Sequence, residues 1–72
     1  MKIKTARILA ALDYNHKVTL VMGNGAGSRK VHIQEGKGHY SVRNDSEIFS
    51  VDKEKLVEML ERNYFFIESW YA

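Results

Sequence analysis

Residues 30–43 read KVHIQEGKGHYSVR, and this stretch decides the fold. Two runs within it, 30–35 and 39–43, each alternate apolar with polar residues, and a Gly-Lys-Gly sequence separates them. Alternation with a period of two is typical of a strand that is buried on one side only. The stretch therefore predicts a central antiparallel hairpin with a glycine turn.

The apolar residues of the two runs predict a register for this hairpin. Pairing Ile33 with Tyr40 and Val31 with Val42 puts all four side chains on one face, whereas a slip by one residue would break that face. This register leaves Gly36-Lys37 as a two-residue type II′ turn, or as the centre of a four-residue loop.

The opposite, polar face of the hairpin is basic in this register. Lys30 is predicted to lie opposite Arg43, and like charges in that position destabilise a sheet by some tenths of a kcal/mol. A face that stays basic at this cost is an ordinary solvated surface, a site for anions or nucleic acid, or a site for the acidic surface of a partner protein. The residues that we predict for nucleic-acid binding are Arg29, Lys30, His32, Lys37, His39 and Arg43.

The clearest helix signal spans residues 53–62. Asp52 is a good N-cap, and Val51 before it and Leu56 within the helix fit a hydrophobic staple. Asn63 tolerates the left-handed conformation that commonly ends a helix. We therefore predict a helix over 53–62.

Four other segments complete the predicted α+β fold, an antiparallel sheet of three to four strands with one or two helices. Residues 5–12 fit a helix, with Thr5 as its cap, or a strand that turns at 13–15; the alanines favour the helix. Residues 17–22 predict a strand, 47–50 a short extended piece, and the apolar run from residue 64 a C-terminal strand.

The predicted order of helix, three strands and helix resembles that of the double-stranded-RNA-binding domains. That family binds RNA with a lysine-rich start to its last helix and a histidine in its first hairpin loop. Here the last helix opens Asp52-Lys53-Glu54-Lys55, the loop at 23–28 has no histidine, and a strand follows the last helix. Because of these differences we do not assign the chain to that family.

The C-terminal segment is rich in aromatic residues. Such residues form either the core of the domain or an interface with a partner or a second copy of the chain, because an apolar edge strand is a natural site for pairing. The candidate interface residues are Phe65, Ile67, Trp70 and Tyr71.

Length and charge limit the classes of function. Seventy-two residues predict one domain, 1–72, and the absence of Cys excludes disulfides and thiolate metal sites. Residues 1–43 carry eight Lys or Arg against two Asp or Glu, a net charge of +6, whereas 44–72 carry three against seven, a net charge of −4. This division predicts a basic and an acidic side.

The familiar catalytic and cofactor motifs are missing. The glycine-rich segment 23–28 lacks the spacing of either common nucleotide-binding loop, and an alternating run follows it instead of a helix. His16, His32 and His39 are not accompanied by the ligands that a metal site needs, and no Ser is part of a nucleophile motif. We therefore expect neither enzymatic activity nor a cofactor or metal.

These observations together predict a small binding module in the cytoplasm with no membrane segment. The first hypothesis is nucleic-acid binding through the basic hairpin face. The alternative is a protein-interaction module, an inhibitor or a regulator, that acts through the aromatic C-terminal strand or the acidic helix. The small size suggests a phage or another mobile element as the source.

Overall fold

A computed structural model describes residues 1–23 and 28–72 of the chain. Its elements are, in chain order, α1 (Ile3–Asn15), β1 (Lys17–Gly23), β2 (Ser28–Glu35), β3 (Tyr40–Arg43), β4 (Ile48–Val51), α2 (Lys53–Glu61) and β5 (Ile67–Tyr71). The strands form one sheet in the order β4-β3-β2-β1-β5, and all neighbours are antiparallel. The predicted α+β class is confirmed, with five strands where three to four were predicted.

The N-terminal segment is helical, so the alternative of a strand is wrong. α1 begins at Ile3 and continues through residues 13–15, which were predicted as a turn. It ends instead at His16, whose φ is 66° and whose N–H donates to the Leu12 carbonyl at 2.8 Å. Thr5 is not its cap, because Lys2 takes the N-cap position and Thr5 is buried inside the helix.

A carboxylate from α2 supplies the negative charge that the first turn of α1 lacks. Lys2 makes no side-chain cap, and the first turn holds no acidic residue. Glu61, the last residue of α2, accepts the Lys2 N–H at 2.9 and 3.1 Å and the Thr5 hydroxyl at 2.7 Å. Its negative charge lies at the positive end of the α1 dipole, where it is stabilising. The contact joins the two helices directly.

The second helix matches its sequence signals closely. The Asp52 side chain accepts the Lys55 N–H at 2.7 Å, as an N-cap does. Leu56 is fully buried and Val51 is half-buried, which suits the predicted staple. The helix ends at Glu61, one residue earlier than predicted, and Asn63 adopts the expected left-handed φ of 54°.

The predicted register of the central hairpin is wrong by two residues. Ile33 pairs with Val42, and Glu35 pairs with Tyr40. The cause is the connection: residues 36–39 form the loop, the Gly36 N–H donates to the His39 carbonyl at 2.8 Å, and Gly38 has a φ of 74°. Because side chains alternate with a period of two, this shift leaves the four apolar residues on their predicted face.

The shift changes the polar face of the hairpin. Arg43 lies opposite His32, not opposite Lys30 as predicted. Lys30 pairs instead with Val21 of β1. The repulsion between directly opposed cations that the sequence suggested is therefore absent from this pair of strands.

The C-terminal strand begins at Ile67, later than the apolar run predicts. Phe66 interrupts that run with a φ of 48°, and its carbonyl accepts the Gly23 N–H at 3.0 Å. A bulge separates the pairs Val21–Ser69 and Met22–Ile67, and Glu68 is the extra residue. The Glu68 side chain lies over Gly23, so a larger residue at position 23 would have to displace its carboxylate.

Both helices pack on one face of the sheet. Ile8 and Leu12 of α1 and Leu56 of α2 are fully buried there, beside Leu20 at the centre of β1. The remaining buried apolar residues of this core are Leu9, Val18, Val31, Ile33, Tyr40, Val42, Met59, Leu60, Phe65 and Ile67. One face of the sheet therefore forms the core, and the described residues place no helix on the other.

Substitutions at two neighbouring residues of β1 test which face of the sheet forms the core. Leu20 is 0% exposed, whereas Val21 points away from the helices and is half-buried. We expect Leu20→Ala to lower the free energy of unfolding by about 2–5 kcal/mol and Val21→Ala by less than about 1 kcal/mol. Urea denaturation followed by circular dichroism measures both, and equal losses would contradict the assignment.

The contact between Glu61 and α1 predicts a pH dependence. The hydrogen bond from the Thr5 hydroxyl, followed by that from the Lys2 backbone, lowers the pKa of the Glu61 carboxyl from its ordinary value of 4.5. A lowered pKa stabilises the fold at neutral pH, and this stabilisation is lost as the pH falls through the folded-state pKa.

We therefore expect wild type to be more stable than Glu61→Gln at pH 7, and the difference to shrink steadily below about pH 4.5. Thermal unfolding from neutral to acidic pH measures it. Glu47→Gln is the control, because Glu47 is exposed and forms no ion pair with the described residues. A difference between wild type and Glu61→Gln that is independent of pH would contradict this role.

Candidate functional site

The uncovered face of the sheet is polar and basic, and we call it the open face. Its residues alternate with those of the core, and all are exposed or half-buried. They are Lys17, Thr19 and Val21 of β1, Lys30, His32 and Gln34 of β2, Ser41 and Arg43 of β3, Ile48 and Ser50 of β4, and Ser69 and Tyr71 of β5.

The register aligns four of these residues in one row across the sheet. Arg43 lies opposite His32, His32 opposite Thr19, and Thr19 opposite Tyr71. The Thr19 hydroxyl and His32 Nδ1 are 3.1 Å apart and share a hydrogen bond. The Lys30 ammonium lies over the Tyr71 ring, 5.9 Å from its centroid. The row therefore combines cations, hydrogen-bonding groups and an aromatic ring.

A shallow depression of about 290 Å³ lies on this row. Side chains of Lys17, Arg43 and Tyr71 contribute to its lining, and the central strands contribute Thr19 and His32. The remaining lining residues are Val18, Ile33, Gln34 and Ala72. Such a volume is near the lower limit for small-ligand pockets, so the feature suits one ring-sized group better than an enclosed ligand.

The charge of the open face is predominantly positive. Lys17, Lys30 and Arg43 are exposed on it, and His32 adds an imidazole. Glu68 at the bulge is the carboxylate next to this face, and it lies over Gly23 at one end. The geometry is therefore suited to an anion that lies across the strands.

Three of the six residues predicted for nucleic-acid binding lie together on the open face, namely Lys30, His32 and Arg43. Lys37 and His39 lie in the loop at one end of the sheet, where His39 Nδ1 is 2.9 Å from the Lys37 carbonyl oxygen. His39 borders a separate depression whose lining includes the carboxylates Asp13 and Glu35. Lys53 lines the same depression, so acidic and basic side chains are mixed at that end of the sheet.

The same acidic neighbours affect a buried tyrosine. Burial first, and then the charges of Glu35 and Asp13, raise the pKa of the Tyr40 phenol. Glu35 also lies 3.5 Å from His16 Nδ1, so this end of the sheet has its own polar network.

Arg29, the sixth predicted residue, is separated from the others by the alternation of β2. It pairs with Met22 and shares a face with Val31, not with Lys30. It borders a small depression of about 100 Å³ together with Asp45. The structure therefore does not bring Arg29 to the open face.

The four candidate interface residues do not form one surface, because some are buried in the core and others are exposed. Phe65 and Ile67 are 3% and 8% exposed and belong to the core, which was one of the two roles considered for the segment. Trp70 lies opposite Leu20 and is half-buried against that core. Tyr71 is 49% exposed and belongs to the open face. An interface at this edge would therefore depend on the last two residues.

The sequence-based prediction missed Lys17 and Thr19 as members of this surface. Lys17 and Thr19 are the polar partners of Val18 and Leu20 in an alternating run, and this signal was visible. It became informative only with the pairing of β1 to β2, because that pairing puts Lys17 opposite Gln34 and Thr19 opposite His32. The glycine-rich segment 23–28 is the candidate phosphate loop of the sequence. Only its two ends are among the described residues, and residues 24–27 lie outside them.

Comparison of the chain with protein-family models, with curated proteins and with solved structures gave no significant match. Neither helix within residues 1–23 and 28–72 combines the length and the apolar character that crossing a bilayer requires. In the same part of the chain, no group of three His, Asp or Glu residues is arranged to hold a metal ion. The open face is therefore the feature that suggests a function.

Proposed function

We propose that this protein binds nucleic acid through the open face of its sheet. The observation that carries the proposal is the convergence of Lys17 and Arg43, with His32, around one exposed depression. Lys30 lies beside it, over the ring of Tyr71. Phosphate groups are the anions that such a dispersed set of cations suits, because each cation neutralises one phosphate and releases its counterions. Arg43 adds the forked geometry that favours phosphate oxygens.

The distribution of acidic residues supports this orientation of the molecule. Glu61 binds the start of α1, and Glu58 lies 3.7 Å from the Lys55 ammonium and 3.8 Å from the Arg62 guanidinium. Both carboxylates belong to α2, on the covered side of the sheet. These two carboxylates therefore make their contacts within the helical layer, and they do not neutralise the cations of the open face.

A charge-reversal pair tests the proposal. Three phosphate contacts predict an affinity that falls about 20- to 40-fold between 50 and 200 mM salt. We expect Lys17→Glu/Arg43→Glu to bind at least about tenfold more weakly at low salt and to show a shallower salt dependence. Fluorescence anisotropy with labelled single- and double-stranded DNA and RNA measures both quantities.

The matched control is Arg7→Glu/Lys53→Glu, which changes the net charge of +2 by the same amount on exposed residues of the two helices. It is expected to retain most of the binding, since net charge alone acts weakly through screening salt. Equal loss of binding in both pairs, or no binding by the wild-type protein at low salt, would refute the assignment to the open face.

The alternative of a protein-interaction module has one structural feature in its favour. A groove of about 400 Å³ between β4 and α2 is lined by the apolar residues Phe49, Val51, Met59 and Tyr64. Lys55, Glu58 and Arg62 form its charged rim. Tyr64 is 60% exposed, so this groove presents an aromatic ring to solvent. A mass that rises with concentration in light scattering would favour this alternative.

A further inference from the structure

The width of the open face limits which form of nucleic acid it can contact closely. Adjacent strands lie about 4.8 Å apart, so β4 and β5 at the two edges are about 19 Å apart. The major groove of B-DNA is only about 12 Å wide, and it admits a helix or a two-stranded ribbon. Both helices here pack against the sheet instead. The open face therefore cannot reach duplex bases without deforming the duplex.

Unpaired bases, by contrast, find a stacking surface on this face. The Tyr71 ring is 49% exposed at the rim of the depression. The imidazole of His32 lies two strands away, at a distance of about 10 Å across Thr19. Aromatic rings on an exposed sheet are the usual platform for single-stranded bases, and imidazole serves in the same way.

Lys30 already lies over the Tyr71 ring, so a base would have to displace its ammonium group. A cation–π contact at an exposed site gives about a two- to fivefold preference. Stacking of one base on an aromatic side chain gives about a five- to 150-fold preference. Stacking of a base on the ring is therefore favoured over the cation–π contact. The displaced ammonium remains close enough to pair with a phosphate of the same strand.

The depression between the two rings supplies hydrogen-bonding groups. Thr19 and Gln34 line it, and an amide side chain both donates and accepts. Arg43 and Lys17 border its rim. A strand that crosses this row can therefore place a base edge on polar groups while its phosphates contact the cations.

We infer that the open face selects single-stranded nucleic acid and stacks one of its bases on Tyr71. This inference rests on the proposed function and adds the form of the nucleic acid and the contact that selects it. Electrostatics alone would favour a duplex, whose charge density is higher. A preference for the single strand is therefore the signature of base stacking.

The test uses four labelled probes of equal length: an oligodeoxythymidylate, an oligouridylate, an abasic deoxyribose-phosphate strand and a DNA duplex. We expect wild type to bind the two strands that carry bases more tightly than the duplex and the abasic strand. Tyr71→Ala should weaken binding of those two strands by about five- to 150-fold and leave the abasic strand nearly unchanged. Tyr71→Phe, which keeps the ring, should retain the preference.

Tyr14→Ala is the matched control, because Tyr14 is 86% exposed on α1 and lies away from the open face. Comparison of the two oligonucleotides separates a DNA from an RNA preference. Absence of binding to any probe by the wild-type protein would overturn the proposed function and this inference together. Binding that favours the duplex, or that Tyr71→Ala leaves unchanged or weakens equally for the abasic strand, would overturn the inference alone.

Discussion

Because both helices pack on one face of the sheet, the face on which a strand residue lies decides whether it belongs to the core or to the surface. Five strands span about 19 Å, and two helices of about 10 Å diameter side by side are enough to cover one face of that width. Apolar residues such as Leu20 and Ile33 are therefore buried beneath the helices. Their neighbours in sequence, such as Thr19 and His32, remain at the surface between the two edge strands. The core and the candidate binding face are thus two sides of the same alternation.

The helical layer is held together by a polar contact as well as by the core. Glu61 bonds to Lys2 and Thr5, which joins the end of α2 to the start of α1. A chain of this size supplies only about 3–5 kcal/mol of net stability from its core, so one such junction matters. The open face takes no part in this layer. Its cations can therefore change without removing core contacts, which makes the candidate function accessible to mutagenesis.

Local signals were sufficient for much of the fold and for part of the site. The Asp52 cap and the alternation of residues 30–43 fix one helix and the faces of two strands, because both depend on neighbouring residues. The register of the hairpin depends on the conformation of residues 36–39, and no alternation distinguishes shifts of two residues. Lys17 belongs to the candidate site because β1 pairs with β2. The position of Tyr71 in that site depends on the bulge at Glu68. The last two features are contacts between strands, and residue periodicity does not encode them.

The most direct test of the account is a map of amide chemical shifts during titration with a single-stranded oligonucleotide. We expect changes in the central strands around Thr19 and His32, at Arg43 and at Tyr71, since these residues border one depression on the open face. The exposed side of α2 should change little. Changes centred on the groove between β4 and α2, or no changes at saturating oligonucleotide, would contradict the claim that the open face is the functional surface.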